Sequence, residues 1–197
     1  MEITDYKIRK IKPDDVLKLH RVYLSAWLDT YPNEEFNITT EDIIYKYDQR
    51  LAPDKIEESK EKITQTKENE LKLLLEYNGD VVALCNVAIE KDYNQLQAIY
   101  VLPEYQRMGI GGLIWSEAEK FLDPHKKSIV HVVSYNDKAI KFYEKLGFKS
   151  TNKIFTDERF KMRNGSVFPE LEMVRPPLKN EANLPNIPSK KFSKFCA

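Results

Sequence analysis

The sequence predicts an α/β domain built on a mixed sheet. Three observations predict it: runs of period-two alternation, runs of helical spacing, and their order along the chain. Strand, helices, hairpin strands, helix, strand, helix and closing strands follow one another, and crossover helices among antiparallel strands give a mixed sheet. A length of 197 residues suits one domain with a core of useful size.

Residues Thr4 to Ile11 alternate apolar and polar side chains, as a first strand does. Pro13, Asp14 and Asp15 then open a helix, because proline suits a first turn and acids suit its positive end. Val16, Leu19, Tyr23, Ala26 and Trp27 recur at helical spacing until Tyr31-Pro32-Asn33 breaks the pattern. Thr40 to Thr66 is highly charged and interrupted at Pro53, which predicts two surface helices. Leu71 to Tyr77 and Val81 to Ile89 read as strands joined at Asn78-Gly79, a pair that favours the tight type I′ hairpin. Gln95 to Val101 is a third strand of this group. Gly109 to Leu122 is helical, with Ile110, Leu113, Ile114, Ala118, Phe121 and Leu122 on one face. Ile129 to Ser134 is a short apolar strand. Asn136 can cap a helix that runs to Leu146, and Gly147 can end it. Phe148 to Phe155 and Glu170 to Arg175 are closing strands. The composition then changes, so residues 1–175 are expected to form the domain and 176–197 a proline- and lysine-rich tail.

Charge and cysteine usage narrow the function classes. The 31 basic and 31 acidic side chains balance, which argues against a nucleic-acid or membrane-surface specialist. Cys85 and Cys196 provide neither a disulfide framework nor the spacing of a metal site, so no metal is expected. No apolar run approaches the roughly 20 residues of a membrane span, and Met1 to Lys12 is unlike a secretory leader. A cytoplasmic setting is the expectation.

The informative stretch is Ala98-Ile-Tyr-Val-Leu-Pro-Glu-Tyr-Gln-Arg-Met-Gly-Ile-Gly-Gly-Leu113. A strand runs into Pro103, a loop follows, and a helix starts at the glycines. The start of a helix offers unpaired N–H donors and the positive end of its dipole, and glycine lets a phosphate approach closely. A pyrophosphate is the natural ligand. No Lys-Ser or Lys-Thr follows the glycines, so this is not a Walker loop, and the spacing Gly109-x-Gly111 is not the dinucleotide fingerprint.

Gln106-Arg107-Met108-Gly109-Ile110-Gly111 resembles the cofactor motif of the GNAT superfamily of N-acetyltransferases, Gln/Arg-x-x-Gly-x-Gly/Ala. Thirty residues after Gln106, Asn136-Asp-Lys-Ala139-Ile-Lys-Phe142-Tyr143-Glu-Lys-Leu-Gly147-Phe148 is similar to that family's other signature. The resemblance spans about Ile3 to Arg175 and is specific between Gln95 and Phe148. It implies the GNAT fold: three layers, with a mixed, mostly antiparallel sheet flanked by helices. It implies acetyl-CoA as co-substrate, an amine as acceptor, and a homodimer as one arrangement common in the family.

The resemblance also implies roles for residues. The loop from Gln106 through Arg107, Met108, Gly109, Ile110 and Gly111 to Gly112 would hold the pyrophosphate, and the strand at Ile99 and Val101 would pair with the pantetheine arm. The Val101 N–H would donate to the acetyl oxygen. Asn136 would contact pantetheine or cap its helix, and Tyr143 would protonate the leaving thiolate. Gln95 stands where many members carry a glutamate, and an amide accepts no proton at neutral pH. His131 stands where the branch resembling ribosomal-protein alanine acetyltransferases has its glutamate, and an imidazole is a competent base near pH 7. Glu90 and Asp92 are further candidates by proximity. Trp27, Asp29, Tyr31 and Glu34 cluster where the acceptor pocket is expected, as an aromatic wall with carboxylates for a cation. Three functions stay open, of which the first two are transfer to a small amine, polyamine or peptide amine, and a non-catalytic module that holds acyl-CoA as a sensor. A partner-binding role for the tail is the third.

Overall fold

The computed structural model describes residues 5–178. The tail expected over 176–197, with Cys196, lies almost wholly outside the described residues. The elements are β1 (Tyr6–Lys10), α1 (Val16–Thr30), α2 (Thr40–Asp48), α3 (Pro53–Thr64), β2 (Glu70–Tyr77), β3 (Asp80–Ile89), β4 (Asn94–Val101), α4 (Ile110–Glu119), β5 (Ser128–Val133), α5 (Asp137–Lys145), β6 (Lys149–Thr156) and β7 (Pro169–Arg175). One seven-stranded sheet takes the order β1-β2-β3-β4-β5-β7-β6. Only β4 and β5 pair in parallel, so the sheet is mixed and mostly antiparallel.

Each boundary has a local cause. Asn78 and Gly79 both take positive φ, +51° and +84°, which closes β2 onto β3 in the expected turn. Thr39 caps α2 by accepting from the Asp42 N–H at 3.0 Å, and Pro53 begins α3. Pro13–Asp15 forms a short 3₁₀ turn before α1 rather than its first α turn. The reason is Asp15, whose buried carboxylate is engaged elsewhere. It accepts from both terminal nitrogens of Arg9 at 2.7 and 2.8 Å and from the Lys12 N–H at 2.8 Å, while Arg9 also reaches Glu76 at 2.6 Å. This network fastens β1, β2 and the start of α1 together.

Helices lie on both faces of the sheet. On β4, Tyr100 packs its ring 5.2 Å from that of Tyr23 of α1, while the adjacent Val101 faces Gly111 of α4. Neighbouring strand residues point to opposite faces, so α1 and α4 are opposite layers. Leu74, Val82, Leu84, Ile110, Ile114 and Met173 are among the fully buried core. Trp115 joins that core and packs edge-on to Phe148, a position absent from the apolar face read from the sequence. Arg175 of β7 stacks over Trp115 and Phe148 and pairs with Glu119, locking β7 to α4.

A second aromatic core lies under α1 and α2. Trp27, Tyr31, Tyr47 and Phe168 are buried there with ring centroids 5.0–5.5 Å apart. The connection from β6 to β7 covers it and is tied down by Asn164, which donates to Asp42 and to the Asn37 carbonyl, both at 2.8 Å.

Candidate active site

The site begins with a split in the sheet. β4 and β5 pair only where Asn94–Leu96 meets Ser128–Val130, yet β4 runs on to Val101 and β5 to Val133. Asn94 holds the closed end. Its buried amide donates to the Asp123 carbonyl at 2.8 Å and accepts from the Asp123 N–H at 3.1 Å, pinning the loop that leads into β5. Beyond that point the strands diverge around a cavity of about 570 Å³, within the range that takes a small-molecule ligand.

Backbone groups line the β4 wall. The Leu102 N–H bonds to the Val82 carbonyl of β3 at 2.9 Å. Because these groups alternate along a strand, the N–H groups of Val101 and Ile99 point away from β3, into the split. Gln106 reaches back from the loop, its amide 3.4 Å from the Val101 carbonyl.

The start of α4 forms the mouth. Arg107 and Gly109 both take left-handed backbone, φ +62° and +84°. Such turns direct successive N–H groups to one side and make an anion-binding concavity. The first intrahelical bond is from the Leu113 N–H to the Gly109 carbonyl at 3.1 Å, so the N–H groups of Ile110, Gly111 and Gly112 have no acceptor within the helix. The glycines are not equivalent. Gly109 serves its dihedral. A Cβ at Gly111 would meet the Phe142 ring at 3.3 Å, so this glycine lets α4 approach α5 closely. A Cβ at Gly112 would meet nothing within 4 Å. Arg107 lines the cavity together with Lys138, Lys141 and Lys145 of α5. The lysines belong to no motif in the sequence, but their spacing of three and four residues places them on one helix face.

α5 completes the floor. The Asn136 side chain caps it, accepting from the Ala139 N–H at 3.0 Å, and also borders the cavity. Tyr143 is buried, borders the cavity, and its hydroxyl has no hydrogen-bond partner among the described residues. Burial, with a smaller effect from Tyr100, raises its phenol far above the usual range, so it stays protonated.

Residues expected at the acceptor end divide. Tyr31 borders the cavity, with its hydroxyl 3.2 Å from that of Tyr100. Trp27 does not border it; its indole is packed among Tyr31, Tyr47 and Phe168. Asp29 stands off the cavity, 3.6 Å from the Lys138 ammonium, and Glu34 is exposed on the loop. His131 borders the cavity from β5, its Nε2 3.8 Å from Glu172 and its ring edge-on to Phe155. Burial lowers its pKa below the ordinary histidine value, against the opposing pull of Glu172. Gln95, Glu90 and Asp92 do not border the cavity. No group of acids, histidines and cysteines among the described residues is arranged to hold a metal, and no described helix is long and apolar enough to cross a membrane.

A split mixed sheet with an anion-binding helix start at its mouth defines an acyl-transferring class of enzyme. The chain belongs to the acetyltransferase (GNAT) family, whose model matches residues 19–148. The fold is that of solved members. A PaiA N-acetyltransferase from Thermoplasma acidophilum, in complex with coenzyme A, is 21% identical, with a TM-score of 0.68 over 88% of this chain and 99% of that one. A GCN5-related N-acetyltransferase from Rhodopseudomonas palustris is 17% identical, with a TM-score of 0.64 over 89% and 98%. The ribosomal-protein-S18-alanine N-acetyltransferase from Escherichia coli is 18% identical, with a TM-score of 0.59 over 91% and 98%. A search of curated proteins finds no match.

Proposed function

We propose that this acetyltransferase moves the acetyl group of acetyl-CoA to a primary amine, with Tyr143 as the acid for the leaving sulfur and His131 as the acceptor of the amine proton. The observation that carries the reading is Tyr143: a buried residue whose protonated hydroxyl has no partner among the described residues, in the cavity whose mouth is the amide-lined start of α4. The cofactor fits the residues present. Its pyrophosphate suits the free N–H groups of Ile110 to Gly112, its remaining phosphate charge suits Arg107, Lys141 and Lys145, and its amide-bearing arm suits the backbone of Ile99 and Val101.

The reaction needs a neutral amine, and alkylammonium groups have pKa values near 10. His131, held neutral by burial, has a nitrogen free to take that proton. The nitrogen then attacks the thioester carbon. Negative charge develops on its oxygen, where the Val101 N–H is the donor. As the carbon–sulfur bond breaks, Tyr143 donates its proton to the sulfur and is reprotonated by the second proton that the nitrogen sheds as it becomes the amide.

The test is thiol release from acetyl-CoA across polyamines, aminoglycosides, lysine peptides and free N-terminal peptides. Release with one class names the acceptor. Tight coenzyme A binding without release from any of them would overturn catalysis in favour of an acyl-CoA-binding module, and Gln95 would then be the residue to explain.

A further inference from the structure

His131 borders the cavity with a carboxylate at its side that the transfer scheme does not use. Antiparallel register sets Glu172 of β7 directly across from His131 of β5, and directly opposed residues share a face of the sheet. Met173, the next residue, is fully buried in the main core, so Glu172 and His131 point to the other side. The Glu172 Oε2 lies 3.8 Å from the His131 Nε2. That is an ion-pair distance rather than a hydrogen bond, so the carboxylate acts on the ring through its charge.

The edge strand is bent to reach this carboxylate. Ser150 pairs with Met173 and Ile154 with Leu171, so Thr151, Asn152 and Lys153 together face the single residue Glu172. Asn152 takes left-handed backbone, φ +61°, within this bulge. Bulges re-aim side chains and are frequent beside active sites. Here two side chains turn to Glu172. The Thr151 hydroxyl is shared between Oε1, at 3.3 Å, and the Glu172 carbonyl, at 3.1 Å, while the Lys153 ammonium stands 3.6 Å from Oε2. One carboxylate oxygen is therefore fixed by threonine, and the other is shared between the lysine and the histidine. Phe155, two residues beyond Lys153, sets its ring edge-on to the imidazole at 4.7 Å.

The remaining charged groups on this side are weaker or engaged. Asp157 forks onto Arg159 at 2.5–3.0 Å and pulls on His131 less than Glu172 does. Glu170 lies one pair along β7, across from Val133, and the Tyr100 phenol of β4 is kept protonated by burial. A base must be neutral before the amine arrives and cationic once it has taken the proton. Burial and Lys153 favour the neutral ring, and Glu172 favours the cation.

We infer that Glu172 is a positioning residue for His131: it faces the Nε2 edge of the ring, leaves Nδ1 to take the amine proton, and stabilises the imidazolium that results, with Lys153 on the β6 bulge limiting the effect. This rests on the acetyl-transfer reading, in which His131 is the base. The proton passes from the ammonium nitrogen to Nδ1, and Glu172 exchanges none.

The test is NMR titration of the full-length, histidine-labelled protein, alongside the pH profile of kcat/KM with the acceptor found in the panel. His131→Gln assigns the His131 signal among those of His20 and His125. Glu172→Gln is expected to weaken proton binding at His131 about two- to fivefold, as loss of a part-exposed ion pair does, and Lys153→Met to strengthen it by a similar factor. Glu172→Asp should recover part of the loss, and His20 and His125 should not move. The acid limb of kcat/KM should follow His131 in both directions. Proton binding at His131 that is unmoved in Glu172→Gln overturns the inference and leaves acetyl transfer intact. So does a shift at His131 that the acid limb does not follow, because the pair then takes no part in the reaction. If no acceptor is acetylated, or His131→Gln keeps the wild-type profile, the reading of His131 as base fails and takes the positioning role with it, whatever the titration shows of the contact.

Discussion

Tyr143→Phe removes one oxygen from the cavity and nothing else. The Tyr143 hydroxyl makes no hydrogen bond among the described residues, so the fold loses no partner when it is replaced by hydrogen. The ring contacts with Phe142 and Phe148, at 5.5 and 6.0 Å between centroids, are retained. Thermal stability should therefore change by less than about 0.5 kcal/mol. Catalysis should respond differently. A positioned proton donor contributes about 10²–10⁴-fold, which corresponds to roughly 2.7–5.5 kcal/mol of barrier. The assay is steady-state thiol release with the acceptor found in the panel, alongside calorimetric coenzyme A binding. The expected outcome is kcat lowered a hundredfold or more with the coenzyme A Kd unchanged. Because burial keeps the phenol protonated, the wild type should show no fall in rate on the basic side assignable to Tyr143 up to about pH 10. A kcat within about threefold of wild type would refute the assignment, and a parallel loss of coenzyme A affinity would show that the ring, not the proton, matters.

The glycines of the α4 start should separate by role. Gly109→Ala forces a left-handed residue at a cost of about 1–2 kcal/mol and should lower both the melting temperature and coenzyme A affinity; Gly112→Ala has open space and should leave the melting temperature unchanged or raised. Gly111→Glu, crowding Phe142 and bringing negative charge to the anion site, should abolish measurable coenzyme A binding by calorimetry. Asp15→Asn breaks a part-buried ion pair, and because Arg9 keeps Glu76 it should cost about 1.5–3 kcal/mol at pH 7 by urea unfolding. The Arg9 hydrogen bonds hold the Asp15 carboxyl below its ordinary 3.8, so its contribution is present in full above about pH 4 and is lost as pH falls through the folded-state value. The gap between wild type and Asp15→Asn should accordingly narrow in strong acid.

Every helix and strand expected from the sequence exists, with boundaries displaced by a few residues where a side chain is recruited over distance. Asp15 is the clear example: as an acid just after Pro13 it reads as part of a helix opening, but the Arg9 guanidinium and the Lys12 N–H claim its carboxylate, and α1 starts at Val16. The geometry at the start of α4 and α5 is legible because it is built locally. Left-handed backbone at Gly109, the cap at Asn136 and the close approach at Gly111 each demand a particular residue type, and they lie within thirty residues of one another.

The acceptor end had no such local signal. Trp27 reads as a pocket wall, yet Tyr47 and Phe168, 20 and 141 residues further on, close around it. Glu170 reads as the first residue of a closing strand, and the register places it between Val133 of β5 and Phe155 of β6, distant in sequence. None of those neighbours constrains the residue type of another through the chain. An aromatic surface packs with many side chains, whereas a phosphate at a helix start is met by backbone that few residues permit. The same physics decides what a substitution does at the start of α4: it deforms backbone, so its effect is felt in anion binding and in stability together.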